Sequence, residues 1–436
     1  MHHPLVVEEL PTAALCANPR NARTHPDRQI AKIAGSITEF GFTNPVLIDE
    51  NDVLIAGHGR LEAAKRLGIE KIPTIRTTHL SPAQKRALAL ADNKIALEAR
   101  WDIELLSEEL EHLASLDLDF DVEITGFETA EIDLVISGQS DTSRPDPADA
   151  APEIDRDKPS VTRDGDLWIT GDHRVLCGNA LDLSSYQGLL GDERAQMAFT
   201  DPPYNVSVDG HVCGLGKVKH REFQMASGEM SPSQYTAFLE TAFRYMANAS
   251  ADGSIHFIFM DWRHLAEILR AGAAVYGPLK ALCIWNKSNA GMGSLYRSKH
   301  ELVLVFKNGK APHINNVELG KHGRYRTSVW DYAGVNTFKR GRREELSAHP
   351  TVKPIALVAD AIRDCSRHGG IILDPFGGSG TTLLAAERTG RRARLIEIDA
   401  AYVDVTIERW QKMTGGTARL AATDQTFGEV ARERQE

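Results

Sequence analysis

The chain has 436 residues, 42% hydrophobic and 25% charged, enough to bury a sizeable core and to form two domains. No apolar run approaches the roughly 20 residues of a membrane span, and the opening residues lack the basic and apolar regions of a secretory leader, so no membrane association and a cytoplasmic location are expected. The net charge of -10 argues against a protein that coats nucleic acid indiscriminately, and the five cysteines, scattered and never in a Cys-x-x-Cys pair, suggest neither a zinc site nor a disulfide framework.

In chain order, Ile30, Ile33, Ile37 and Phe40 recur at helical spacing and predict a helix over 29–40 that Gly41 stops, with a strand over 45–48 after it. A second strand, 53–56, runs into Gly57-His58-Gly59-Arg60, which opens a helix through Leu61, Ala64 and Leu67 to Gly68. A glycine loop between a strand and a helix N-terminus presents free backbone N–H groups, so it is either an anion site or a plain tight turn. Asn18-Pro19-Arg20-Asn21-Ala22-Arg23, the helix end at Glu39-Phe40-Gly41, Pro45-Val46-Leu47-Ile48 and the glycine-arginine turn together resemble the ParB/sulfiredoxin-like domain. That resemblance implies a small α+β domain in which Gly57, Gly59 and Arg60 contact the phosphates of a nucleotide. Residues 84–93 and 102–116 read as amphipathic helices, structural or DNA-contacting.

Composition changes near residue 139, where a proline-rich, acidic stretch without hydrophobic periodicity predicts a linker over 139–160. A ParB-like domain is thus expected over 1–138 and a second domain over 161–415, with a flexible tail at 416–436. In the second domain, strands at 168–169, 174–177, 195–200, 254–259 and 281–285 alternate with helices at 231–248 and 265–271. Such alternation predicts an α/β fold, a mostly parallel doubly wound sheet with ligands bound at the carboxyl ends of its strands.

Two motifs fall on that rim. Asp201-Pro202-Pro203-Tyr204 follows the strand 195–200, and Asp374-Pro375-Phe376-Gly377-Gly378-Ser379-Gly380 follows the apolar run 370–373. The Asp201 carboxylate and the Pro202 carbonyl are acceptors suited to an amine whose lone pair must be localised before it attacks an electrophile. Pro202 and Pro203 stiffen the loop, and Tyr204 offers a flat face for a base. The bland alternative is a proline-rich turn with a buried tyrosine. The glycines permit a tight turn and a close approach to a nucleotide-like ligand, and Glu397 and Asp399, ending the next strand, can accept ribose hydroxyls. A nicotinamide or flavin enzyme is the rival reading of that loop.

Asn179-Ala180, the tetrapeptide, Trp285-Asn286-Lys287 with His300-Glu301, His349-Pro350-Thr351-Val352-Lys353-Pro354, Asp374 to Gly380, and Glu397-Ile398-Asp399 occur in the order of the N4/N6 DNA amino-methyltransferases, in their permuted beta-type arrangement, over roughly residues 160–415. The resemblance implies a Rossmann-like fold, S-adenosylmethionine as methyl donor, no metal, and double-stranded DNA as partner, with the target base flipped out. Asp201, Pro202, Pro203 and Tyr204 would act on the amine. Asn179 and Ala180 would lie near the donor's adenine, Glu397 and Asp399 at its ribose. Thr351, Lys353, Phe376, Gly377, Gly378, Ser379 and Gly380 would surround its methionine part, and Asp374 would also belong to the donor site. His300 and Glu301 are expected to shape the pocket rather than to catalyse. Aspartate at the first position of the tetrapeptide favours adenine N6, with cytosine N4 as the alternative. Cytosine C5 chemistry is not expected, because no cysteine follows a proline.

The stretch 307–348 falls where this family places target recognition. Its basic residues Lys321, Arg324, Arg326, Lys339, Arg340, Arg342 and Arg343 are expected to contact DNA, with Tyr325, Trp330, Tyr332 and Phe338 available to wedge or stack, although a solvated surface loop would read the same way. A partner restriction nuclease and a homodimer are left open. The non-enzyme rival is a ParB-like DNA-binding regulator with an inactive methylase domain.

Overall fold

In this computed structural model, residues 5–435 are described apart from 97, 100, 116–119, 121, 138–145, 151, 153–158, 206–227, 288–295, 318–325 and 334–351. The chain forms two units, Met1–Ile136 and Ser137–Glu436. No helix among the described residues is long and apolar enough to cross a membrane.

The first unit is built on four short strands, β1 (Val7–Pro11), β2 (Val46–Ile48), β3 (Leu54–Ala56) and β4 (Lys71–Arg76), in the order β1-β4-β2-β3. Helix α1 (Asp27–Phe40) buries Ile30 and Ala34 against Ala63 of α2 (His58–Arg66), and Gly41, at φ 78°, ends it. Val46, Ile48, Leu54, Leu61 and Ile72 close the core between sheet and helix. Three more helices follow, α3 (Pro82–Ile95), α4 (Ile103–Ser115) and α5 (Thr129–Ser137), and Leu110, Val122 and Ile132 make a separate small core there.

The second unit is a ten-stranded sheet with helices on both faces. Its strands are β5 (Leu167–Thr170), β6 (His173–Cys177), β7 (Ala195–Thr200), β8 (Ser250–Met260), β9 (Ala281–Lys287), β10 (His300–Lys307), β11 (Val329–Tyr332), β12 (Ile371–Asp374), β13 (Arg392–Glu397) and β14 (Arg419–Leu420). The central five, β8-β7-β12-β13-β6, run parallel, while β10 and β5 turn the flanks antiparallel. Burial follows from this: β8 is buried without interruption from Ser254 to Met260 and β12 throughout, as strands covered on both faces must be. The helices in chain order are α6 (Leu183–Leu190), α7 (Pro232–Ala249), α8 (Leu265–Val275), α9 (Ile355–Cys365), α10 (Thr381–Arg388), α11 (Ala400–Thr414) and α12 (Phe427–Gln435). A capping box between Ser231 and Gln234, with Pro232 in the first turn, starts α7.

Two expectations drawn from the sequence fail here. Residues 416–436 are not a frayed tail: β14 pairs with β5, and α12 buries Phe427 and Val430, with the Phe427 ring 5.3 Å from that of Trp168. Arg434 of the same helix pairs with Asp166. A two-residue strand and two apolar side chains three positions apart are too short a pattern for periodicity to register. Nor is 139–160 a free linker throughout. Asp146 pairs with Arg388, the Ala148 carbonyl accepts from Arg409 at 2.8 Å, and the Asp149 carboxylate accepts the Ile355 amide at 2.8 Å, capping α9. This segment docks by polar contacts, to which hydrophobic patterning is blind.

Candidate active site

The parallel strands β7, β12, β13 and β6 end side by side, and each delivers one element of the site. Thr200, the last residue of β7, donates to the Asp374 carboxylate at 2.8 Å. Thr382 of α10 donates to the other oxygen of Asp374 at 2.6 Å, and the Phe376 amide also points at the carboxylate. Burial pushes the Asp374 carboxyl up to about 6 against these hydrogen bonds. Asp374 therefore builds the loop from within, its oxygens bonded to Thr200, Thr382 and the Phe376 amide.

The glycine loop beyond it is fixed at each turn. Gly377 donates to the Ile396 carbonyl and Gly378 to the Glu397 carboxylate at 2.7 Å. Arg409 of α11 donates to the Ser379 carbonyl at 2.6 Å. Gly380 caps α10 at φ 82°, and a Cβ there would lie 2.4 Å from Thr406 Cγ2. Phe376 packs against Phe238, ring centroids 6.0 Å apart.

Glu397, the last residue of β13, accepts from Gly378 and from the Asp399 amide at 2.9 Å. Burial drives its carboxyl up to about 7 despite these donors. Asp399 caps α11 through the Ala401 amide. Asn179, exposed just past β6, is drawn to the same rim because the Gly178 amide bonds the Glu397 carbonyl, and Ala180 lies buried behind it.

Asp201, half-buried, leaves β7 into a cluster of charges around the buried Lys353 and Glu301. One of its oxygens accepts from Tyr204 Oη and the other pairs with Lys353 Nζ. Lys353 also reaches Glu301 Oε2 at 3.0 Å, and Lys287 pairs with Glu301 from the far side. Tyr235 Oη of α7 holds the Pro203 carbonyl at 2.8 Å. Burial raises the Asp201 carboxyl, an effect that Lys353 opposes and Glu301 reinforces. Burial likewise pushes Glu301 up, yet Lys353 and Lys287 outweigh it and hold that carboxyl at about 2. Lys353 is held charged: burial lowers it and the two carboxylates raise it further. Phe259, Trp285 and Tyr204 surround its ammonium at 4.9, 5.8 and 6.0 Å.

Lys353, expected at the donor's methionine part, pairs with Asp201. Glu301, expected to shape the pocket, is joined to the site by its charge, and Lys287 joins it from behind, a coupling that the sequence did not reveal. The adjacent Trp285-Asn286-Lys287 and His300-Glu301 were visible as motifs, but only the antiparallel β9–β10 register, Trp285 opposite Glu301, brings Lys287 to Glu301 behind Lys353.

The recognition residues fare differently. Lys321, Arg324, Lys339, Arg340, Arg342, Arg343 and Thr351 lie outside the described residues, as do Tyr325 and Phe338. Arg326 is corrected: it is a half-buried structural cation, bonded to Asp364 at 2.9 Å and Tyr332 Oη at 2.8 Å and stacked 5.4 Å over Trp330. Trp330 and Tyr332 are themselves core residues, 4% and 7% exposed, and cannot wedge into a duplex. Arg326→Ala is expected to cost about 3 kcal/mol, because it removes the cation shared by the Asp360 and Asp364 carboxylates. Urea melts check this, and the salt slope of DNA binding should stay unchanged.

In the first unit, Gly57 (φ 97°) caps α2, Gly59 packs on Ile33 and His25, and Arg60 donates to the Asn44 carbonyl at 2.8 Å. The three residues lie together at the β3–α2 turn, with the guanidinium engaged by the protein's own backbone.

Three family models match the chain: DNA methylase of the N6/N4 type over residues 195–408, ParB N-terminal domain over 2–94, and ParB-methyltransferase HTH domain over 104–164. The chain joins an N6/N4-type DNA methylase domain to a ParB-type N-terminal domain. The third match spans residue 138 and overlaps the acidic stretch. The ParB-like nuclease domain-containing protein YnaK of Escherichia coli is 43% identical over 86 residues, covering 20% of this chain and 99% of YnaK. The type II methyltransferase M.ScaI of Streptomyces caespitosus is 26% identical over 275 residues, covering 56% of this chain and 82% of its own. Among solved structures, the cytosine-N4-specific PvuII DNA methyltransferase covers 60% of this chain and 94% of its own at 16% identity, with a TM-score of 0.43.

Proposed function

We propose that the methylase unit transfers a methyl group from S-adenosylmethionine to the N6 amine of adenine in double-stranded DNA, with the base turned out of the duplex. The observation that carries this reading is the position of Asp201: an ionisable acceptor in a half-buried aromatic pocket, one residue beyond the Thr200 that is bonded to the base of the glycine loop. The residues present fit the donor. The loop turns where a Cβ at Gly380 would strike Thr406, and Glu397 keeps acceptor capacity beyond the two amides it binds. Gly377, Gly378 and Ser379 would hold the donor's amino-acid part and Glu397 its ribose. When bound, S-adenosylmethionine supplies an electrophilic methyl on a sulfonium.

The chain's own residues do the rest. Asp201 accepts a hydrogen bond from the target amine, which localises the nitrogen lone pair and favours the cationic nitrogen that develops as the N–C bond forms. Lys353 favours the ionised form of that carboxylate against burial and Glu301, and the carboxylate receives the proton that the methylated amine sheds. Tyr235 and the two prolines hold the loop still. Adenine is preferred because aspartate opens the tetrapeptide, the form that resembles the adenine enzymes.

Donor binding should depend on pH through Glu397. Its carboxyl titrates near 7, and ribose hydroxyls require the ionised form, so affinity should weaken as pH falls below about 7 and binding at neutral pH should release a fraction of a proton. Calorimetry in two buffers of different ionisation enthalpy measures that release. Release that persists in Glu397→Gln would assign it to another group.

The base is tested by incubating the protein with donor and mixed-sequence duplex, digesting to nucleosides and weighing them. N6-methyldeoxyadenosine is expected. N4-methyldeoxycytidine would keep the chemistry and change the base, and no methylated nucleoside would reject the reading.

A further inference from the structure

Both oxygens of Asp201 are engaged in the free protein, one by Tyr204 Oη and one by Lys353 Nζ. A target amine that is to be bound by this carboxylate must therefore displace one of them. Tyr204 lies 3.4 Å from Glu301 Oε2, whereas Lys353 already sits at 3.0 Å from that oxygen and needs no new partner on leaving Asp201. Without Glu301, displacement would move a buried ammonium off its carboxylate with no second one beside it, a costly outcome for an ion removed from water. Lys287 neutralises the other oxygen of Glu301, so the four side chains carry two charges of each sign. The aromatic walls of Phe259, Trp285 and Tyr204 suit a cation, and the methylated amine passes through one.

We infer that Lys353 is a stand-in for the target amine: it holds the acceptor oxygen of Asp201 until the base enters, then is drawn off by Glu301, which makes Lys353 and Glu301 positioning residues of methyl transfer. This rests on the function proposed above. Asp201 is faced by Tyr204 on its own loop, Lys353 ahead of α9, Glu301 on β10 with Lys287 of β9 behind it, Asp374 at the end of β12 and Tyr235 of α7. Lys353 lowers the Asp201 carboxyl and Glu301 raises it.

The two residues should thus move the acid limb of kcat/KM in opposite directions. Lys353→Met should shift it to higher pH, so that lost activity returns on raising the pH. Glu301→Gln should shift it to lower pH, and should also lower single-turnover methyl transfer on the order of tenfold at every pH, since the ammonium then has no second carboxylate to accept it. Glu301→Asp should recover part of that rate. Donor affinity, measured by calorimetry, should be unchanged in all three. Limbs that stay in place, or move together, would overturn the inference, as would a wild-type rate in Glu301→Gln. If Lys353→Met does not fold, the limb and rate of Glu301→Gln decide alone. A wild-type protein that transfers no methyl to DNA would reject the functional reading itself, whereas active wild type with unmoved limbs rejects only the role given to Lys353 and Glu301.

Discussion

Asp201→Asn should lose methyl transfer by roughly 10²–10³-fold in kcat, the range found when one preorganised partner of a developing charge is removed. The amide keeps the shape of the carboxylate but not its charge, so the lone pair of the target amine is no longer localised against an anion. Donor binding should survive, because the glycine loop is held by Thr200, Thr382, Glu397 and Arg409 and by nothing on Asp201. The fold should survive as well. Lys353 keeps Glu301 as its partner, so the substitution strands no ammonium. Single-turnover transfer and donor calorimetry on the same preparation separate these effects. A variant with near wild-type kcat would remove Asp201 from the chemistry, and one that loses donor affinity would place it in the donor site instead.

Gly380→Ala should have the opposite signature. A left-handed residue with a Cβ costs roughly 1–2 kcal/mol, and here the Cβ would also meet Thr406 Cγ2 at 2.4 Å. Thr406 is 1% exposed and donates to the Gly378 carbonyl and the Tyr402 carbonyl, so it cannot swing aside without releasing the loop. Overpacking of this kind adds about 1–3 kcal/mol. The expected results are a clear fall in melting temperature and a loss of donor affinity of at least about tenfold, as the loop and the start of α10 shift together. Gly378→Ala is the control. Gly378 is also left-handed, at φ 51°, but no atom lies within 4 Å of its added Cβ, so only the backbone cost applies. Equal losses in the two variants would show that the Thr406 contact does not matter.

The rim of the sheet was legible in the sequence because each of its motifs sits at the end of an apolar run that can only be a buried strand. Met197-Ala198-Phe199 before Asp201, and Ile371-Ile372-Leu373 before Asp374, fix both the strand and the point where it stops. The glycines of 377–380 are similarly explicit. What stayed hidden depends on contacts between distant segments. Lys353 lies 152 positions from Asp201 and its motif gave no direction in space. Glu301 and Lys287 turn inward through strand register, which a sequence does not state. Arg326 shows the limit from the other side. Counted with its basic neighbours it resembled a DNA contact, yet charge alone does not tell whether a side chain faces solvent or two acidic residues of a helix. Asp360 and Asp364, one turn apart on α9, were the missing half of that pattern. The docked acidic segment and the short C-terminal helix escaped for a related reason, since polar caps and a pair of apolar residues leave no periodic trace.

Nucleoside mass spectrometry on one unmethylated genomic DNA, incubated with donor and either wild-type protein or Asp201→Asn, joins the product to the residue proposed to make it. The expected result is N6-methyldeoxyadenosine with wild type and none above background with the variant, at equal donor occupancy. Equal methylation by both proteins, or none by either while donor is bound, would contradict the assignment of amine methylation to the pocket around Asp201.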